Sequence, residues 1–143
     1  MEKTTMNMPA TEITIVNPDE LVAPRGYNHG FKVSAASSII FLGGQVAWDK
    51  EGRLVGGDDI ALQFDKAMGN LLAVVREAGG QAENIVKLNL YVTDKQRYLA
   101  AGKELGQIYR RRMGKHFPAM TLVEVKSLYE SGAMVEIEGL AVV

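Results

Sequence analysis

Two glutamates, Glu136 and Glu138, stand two positions apart in the otherwise apolar C-terminal run Ala133-Met134-Val135-Glu136-Ile137-Glu138-Gly139-Leu140-Ala141-Val142-Val143. In a strand the side-chain period of two puts both carboxylates on one face, about 7 Å apart at Cα, beside Met134 and Leu140, while Val135 and Ile137 point the other way. If both faces are covered, as the apolar character of the run implies, the acids must be paired, reach water or hold a proton. A carboxylate so placed is what general acid or base catalysis requires. A structural reading fits the same residues: pairing with Lys87, Lys126 or an arginine, since ion-pair networks perturb acids too.

Other reactive side chains are few. His29 lies in a loop with Gly26, Tyr27, Asn28 and Gly30, where a side chain can face a cleft, and His116 precedes Phe117-Pro118. Two imidazoles with no close carboxylate make a poor ligand set, so neither a metal nor a cofactor is expected. The chain has no cysteine, no Gly-x-Ser-x-Gly elbow and no Walker loop, which removes thiolate chemistry, a serine triad and a phosphate cradle from consideration. Arg110-Arg111-Arg112 ahead of Gly114 reads first as a helix end whose cations complement the dipole, with an anion or RNA site as the alternative. With 16 basic and 17 acidic residues, net charge −1, no one-signed field draws a polyanion, which argues against nucleic acid as a partner. Absent cysteine, a first stretch (1–17) without a signal-type apolar core, and no run of 18 apolar residues together predict a cytoplasmic protein with no membrane segment.

The elements that must position these residues follow from patterning. Residues 1–11 read as a flexible arm and 12–143 as one domain, a length able to bury roughly two thirds of its unfolded surface. Ile13-Thr14-Ile15-Val16 predicts a strand stopped by Asn17-Pro18-Asp19. Residues 30–35 and 38–46 predict an antiparallel hairpin about a small-residue hinge. The run Ile39-Ile40-Phe41-Leu42 lacks alternation, as suits a strand covered on both faces, and Gly43-Gly44 lets the backbone approach something closely or is an ordinary turn. A helix is predicted from Asp58-Asp59 to Gly79-Gly80 on the stripe Phe64, Ala67, Met68, Leu71, Leu72, Val75, Ala78. Residues 85–92 alternate as a strand. Thr93-x-x-Gln96 fits a capping box opening a second helix with Tyr98, Ala101, Leu105, Ile108, Tyr109 and Met113 inward, thinned at Gly102 and Gly106 where another backbone can pack. Strands at 119–125 and 133–143 complete the order β-β-β-α-β-α-β-β, an α+β class with one mixed six-stranded sheet and two helices on one face.

Several motifs occur in a fixed order: Gly26-Tyr27-Asn28-His29-Gly30, Phe41-Leu42-Gly43-Gly44-Gln45, Val75-Arg76-Glu77-Ala78-Gly79-Gly80, Ile85-Val86-Lys87 through Tyr91-Val92-Thr93-Asp94, Phe117-Pro118-Ala119-Met120-Thr121-Leu122-Val123-Glu124-Val125, and Val135-Glu136-Ile137-Glu138. Over residues 12–143 this resembles the Rid (reactive intermediate deaminase) family, also called YjgF/YER057c/UK114. The resemblance implies a chorismate-mutase-like fold and a homotrimer with a central barrel and three clefts between subunits. It also implies hydrolysis of imines and enamines such as 2-aminoacrylate to a keto acid and ammonia. It makes Glu136 the residue that orients or activates water, Gly44 the glycine whose backbone contacts substrate, and Tyr27 the cleft-lining loop tyrosine.

The chain departs from the family pattern at the position after Pro118-Ala119. There the best-known members carry an arginine that grips the substrate carboxylate, and this chain has Met120. Charge-assisted bonds of that kind contribute about 1.5 to 3 kcal/mol each, and a methionine makes none. Gly43 stands in place of a small hydroxyl residue, Lys103 in place of an asparagine, and the hinge at 34–38 is a few residues longer. These changes predict a more apolar pocket, with Met120 as a wall and His29, Lys103 or one of Arg110 to Arg112 replacing the missing cation. The expected function is hydrolytic deamination of a small imine, enamine or related metabolite; the alternative is a metabolite-binding or regulatory trimer without turnover.

Overall fold

A computed structural model of the chain describes residues 10–34 and 38–143. The elements are β1 Glu12–Val16, β2 Gly30–Ser34, β3 Ile39–Gln45, α1 Ile60–Glu77, a 3₁₀ turn Ala82–Asn84, β4 Ile85–Val92, α2 Lys95–Ala100, α3 Gly102–Met113, β5 Ala119–Glu124 and β6 Val135–Val142. The α+β class and the strand–helix order follow the sequence pattern, with the second helix broken in two at Ala101. The expected arm falls mostly on residues 1–9 and the hinge on 35–37, both outside the described residues.

Helix α1 forms where the apolar stripe and the cap coincide. The Asp59 carboxylate accepts from the backbone N–H of Ala61 (2.9 Å) and Leu62 (3.2 Å), and the chain leaves the helix through Gly79 at φ 88°. Phe64, Met68, Leu71 and Val75 are fully buried against Leu88, Val92, Val135 and Ile137 of the sheet. Side chains of this size contribute about 1.5–3 kcal/mol each on burial.

The sheet is not the expected six-stranded one. Its order is β3-β6-β4-β5, with β6 antiparallel to both neighbours and β4 parallel to β5, and β1–β2 forms a separate antiparallel ribbon. The predicted β2–β3 hairpin is replaced by pairings with β1 and β6. Ile40 and Leu42 gain the buried helical face by lying beside Ala141 and Gly139, which a pairing with the half-exposed β2 does not offer. Nor is β3 covered on both faces: Leu42 is buried, while Ile39 and Phe41 are 61% and 80% exposed on the side away from the helices.

Two local expectations also change. The cap of α2 is Asp94, whose carboxylate accepts from Arg97 N–H (2.9 Å); Thr93 lies in the bend between β4 and that cap, its N–H bonded to Met134 C=O (3.1 Å). Among the described residues no backbone packs on Gly102 or Gly106, and a Cβ at either would meet none of their atoms within 4 Å.

Gln63 is the one buried polar side chain of the core among the described residues. Its Nε2 donates to Gly57 C=O (2.8 Å) and Gly132 C=O (3.0 Å), and its Oε1 accepts from Met134 N–H (2.8 Å), fastening two loops to α1 just before β6 begins. Replacing it with leucine leaves the buried Met134 N–H without a partner and removes the two part-buried bonds to Gly57 and Gly132 C=O. Gln63→Leu is therefore expected to lower the unfolding free energy by about 3 kcal/mol or more, read from urea titration; a loss below about 1 kcal/mol contradicts this account.

Candidate functional site

Chemistry-bearing residues collect in two places, separated by the sheet. The first lies on the helical side. Met120 pairs with Leu88 across the parallel β4–β5 ladder, and Leu88 is fully buried under the helices, so Met120 points to that side and packs against the core. Above it Gly102 and Gly106, one helical turn apart, leave the face of α3 bare. The result is a cavity of about 350 Å³ walled by Phe64, Tyr98, Leu105, Tyr109 and Phe117, floored by Met120 and rimmed by Gly26 and Arg110. Tyr109 stacks on Phe117 (centroids 5.2 Å, 5° between planes) and its hydroxyl donates to His116 C=O (2.6 Å), while Phe64 and Tyr98 meet edge to face at 6.5 Å. Burial pushes the phenols of Tyr98 and Tyr109 above the ordinary tyrosine range, so both remain protonated donors near neutral pH.

The loop at 26–29 is held at the mouth of this cavity by a polar clasp. Asn28 donates through Nδ2 to Phe117 C=O and through its backbone N–H to Pro118 C=O (3.4 Å). Asn17 reaches across with Nδ2 to Asn28 Oδ1 (2.8 Å) and accepts His29 N–H at Oδ1 (2.9 Å). Tyr27 is half-buried beside Gly26, its ring meeting His29 edge-on at 5.4 Å. The His29 ring is engaged, Nε2 lying 2.7 Å from Val22 C=O, and Lys103 is exposed on α3 and lines no part of the cavity.

The second place lies on the opposite face of the sheet. Glu136 pairs with Tyr91 and Glu138 with Asn89, so both glutamates share the face away from the helices, as their spacing predicts. Tyr91 donates its hydroxyl to Glu138 Oε1, and Asn89 Nδ2 lies 3.4 Å from the same oxygen. That hydrogen bond, then desolvation, then the charges of Glu138 and Glu136 hold the Tyr91 hydroxyl above its ordinary range. The anticipated ion pairs are absent among the described residues: Lys87 Nζ donates instead to Thr121 Oγ1 (3.0 Å). Glu136 is half-buried and makes neither a hydrogen bond nor an ion pair with any described residue. Its carboxylate lies on the Cα of Gly44, where a β-carbon would overlap Oε1. Here β3 and β6 slip by one residue between Leu42 and Gln45, so the Gly43-Gly44 pair is a bulge that brings backbone onto an acid. Gly43 faces the neighbouring hollow with Phe41, Lys87 and Glu138.

Of the residues singled out from sequence, Glu136 with Gly44 forms one cluster and Met120 with the Tyr27 loop the other. His29 and Lys103 join neither. Sequence reasoning noted the thinned face at Gly102 and Gly106, one turn apart on one side of a helix, but assigned it to a packed backbone and so missed the cavity it opens. Among the described residues no group of three or more His, Cys, Asp or Glu could hold a metal ion, and no helix is long and apolar enough to cross a membrane.

Comparison with known proteins bears on this arrangement. The family model described as Endoribonuclease L-PSP matches residues 18–143, nearly the whole chain. This chain belongs to the Rid (YjgF/YER057c/UK114) family. A RutC family protein of Synechocystis sp. is 32% identical over 130 residues, spanning 90% of this chain and 95% of the relative. The mitochondrial protein mmf2 of Schizosaccharomyces pombe is 31% identical over 128 residues (88% and 94%), so not every Rid relative is cytoplasmic. A crystal structure of the Rid-family protein YyfB from Yersinia pestis, described as of unknown function, superposes with a TM-score of 0.81 at 28% identity, covering 92% of this chain and 98% of that one.

The contact between Gly44 and Glu136 can be probed directly. The far end of the glutamate is free to swing, so Gly44→Ala is expected to change stability by less than about 1 kcal/mol in urea unfolding while displacing the carboxylate in a crystal structure of the variant. A Glu136 side chain that keeps its place in the Gly44→Ala protein refutes the contact.

Proposed function

We propose that this Rid-family chain hydrolyses the C=N bond of a small imine, or of the imine tautomer of an enamine, in a cleft that two copies of the chain complete together. Family membership supports the coarser statement, a role in deaminating or binding a small metabolite. The observation that carries the finer one is the Glu136 carboxylate: half-buried, laid on glycine backbone and uncommitted among the described residues.

The chemistry asks little of the protein. Water adds to the electrophilic carbon of a protonated imine, giving a carbinolamine; nitrogen takes a proton and leaves as ammonia, and the carbon becomes a ketone. The sum is R₂C=NH + H₂O → R₂C=O + NH₃. One carboxylate can take the proton from the attacking water and return it to the departing nitrogen, and a positioned group of this kind contributes typically about 10²- to 10⁴-fold.

Glu136 and the Met120 cavity face opposite sides of one sheet, so the acid of one copy must act on a substrate held in the cavity of another. The exposed apolar side chains beside the glutamates, Phe41, Ile39 and Val123, favour such an assembly, since they form a face that a second copy would cover. A trimer is the assembly expected for the family. The ribonuclease reading attached to the family model finds less support here: net charge is −1, and Arg111 and Arg112 are both turned onto Asp65 (3.5 and 2.8 Å).

Two measurements test the proposal. Mass in solution is expected to be three times that of the chain, and a stable monomer would leave the cleft unbuilt. Ammonia release from imines generated in situ by amino-acid oxidases is expected to fall about 100-fold or more in Glu136→Gln, with keto-acid binding preserved. Full activity in that variant removes Glu136 from the mechanism; no activity across the whole panel leaves a binding protein.

A further inference from the structure

The cavity that holds Met120 still needs a cation if it is to hold a carboxylate, and the geometry distinguishes the candidates. His29 is bound to Val22 C=O and Lys103 stands away from the cavity. Arg112 Nε donates to Asp65 Oδ1 (2.8 Å), its guanidinium lying over Gly69, and Arg111 reaches the same oxygen at 3.5 Å. Arg110 alone of the three lines the cavity. It is exposed at the rim, and its guanidinium makes no ion pair or hydrogen bond with any described residue.

The walls specify what that cation would hold. Phe64, Tyr98, Leu105, Tyr109, Phe117 and Met120 present rings and aliphatic groups around about 350 Å³, far more than a two- or three-carbon acid fills. The Tyr109 hydroxyl is committed to His116, leaving Tyr98 the one phenol of the cavity without a hydrogen-bond partner among the described residues. An apolar chamber with one mobile cation at its lip fits a ligand that is a carboxylate at one end and bulky and apolar at the other.

We propose that Arg110 binds the carboxylate in place of the arginine missing at position 120, and that the substrate class is the imino or enamino form of an α-amino acid with an aromatic or large aliphatic side chain, the side chain lying against Met120. This rests on the hydrolase reading for the reacting group; the carboxylate anchor and the apolar tail rest on the cavity alone.

Equilibrium binding of stable keto acids to the assembled protein separates the two. By calorimetry, phenylpyruvate is expected to bind at least about 10-fold more tightly than pyruvate. Arg110→Gln should weaken phenylpyruvate about 10- to 100-fold, the equivalent of one charge-assisted hydrogen bond, and leave the neutral amide of 3-phenylpropionate unchanged; Arg111→Gln, outside the cavity, should leave both unchanged. Gly106→Leu, which fills the chamber, should abolish the advantage of phenylpyruvate over pyruvate. Equal binding of the two acids, or an Arg110→Gln protein that binds phenylpyruvate normally, overturns the inference even if ammonia is released from small imines. Binding as described with no ammonia release from any imine of the panel, the phenylalanine-derived one included, upholds the anchor and removes the hydrolase reading.

Discussion

The antiparallel pairing of β6 with β4 decides which side chains of this protein can ever meet. Val135 and Ile137 of β6 and Leu88, Leu90 and Val92 of β4 are buried beneath α1, so the residues between them, Glu136, Glu138, Asn89 and Tyr91, are sent to the other face. Because β6 is paired on both edges, by β3 as well as β4, its register cannot slip alone. A slip of one residue would drive two carboxylates under α1 and expose the core, a cost of several kcal/mol per unpaired charge. The same alternation places Met120 on the buried side through its pairing with Leu88. If both groups serve one reaction, as proposed, strand geometry requires a cleft shared between copies: no loop movement within one chain carries Glu136 to the cavity above Met120.

Helical geometry performs a similar sorting on the arginines. Successive residues on α3 are turned by about 100°, so three adjacent guanidinium groups cannot share one environment. Two of them reach Asp65 on α1, which ties the end of α3 to the middle of the longer helix, and the third is left at the rim of the cavity. A run that reads as a basic helix tip is, among the described residues, two paired cations and one without an ion pair. Asp65 makes the distinction, and it is far from all three in the chain.

This is also where legibility in the sequence ends. The α1 stripe, its Asp59 cap and Gly79 exit, the alternation of β4 and the shared face of Glu136 and Glu138 are all local periodicities, and all are present in the fold. The close approach at Gly44 was legible as a need for glycine, though not as the resting place of a carboxylate. Pairing was not legible. Neighbouring β2 and β3 look like a hairpin, yet burial favours β6 as the partner of β3, a comparison between distant parts of the chain that no local window contains. The run 39–42 read as doubly covered because both its faces are apolar; one chain covers only one of them. The break at Ala101 and the emptiness above Gly102 and Gly106 depend on what fails to pack there.

Moving the cation from the floor of a cavity to its rim alters what the cavity can select. A guanidinium at position 120 would stand desolvated against core side chains throughout, an arrangement suited to a ligand so small that the charge must supply nearly all the affinity. With methionine there the floor is apolar surface, and in the proposed site Arg110 would stay hydrated until a ligand arrives and so grip more weakly. Affinity must then come from the tail, at about 0.8 kcal/mol for each methylene buried. About two to four such groups match a charge-assisted hydrogen bond to a carboxylate. On the proposed reading, methionine at position 120 therefore has a direction: away from acids recognised by charge and toward acids recognised by what else they carry.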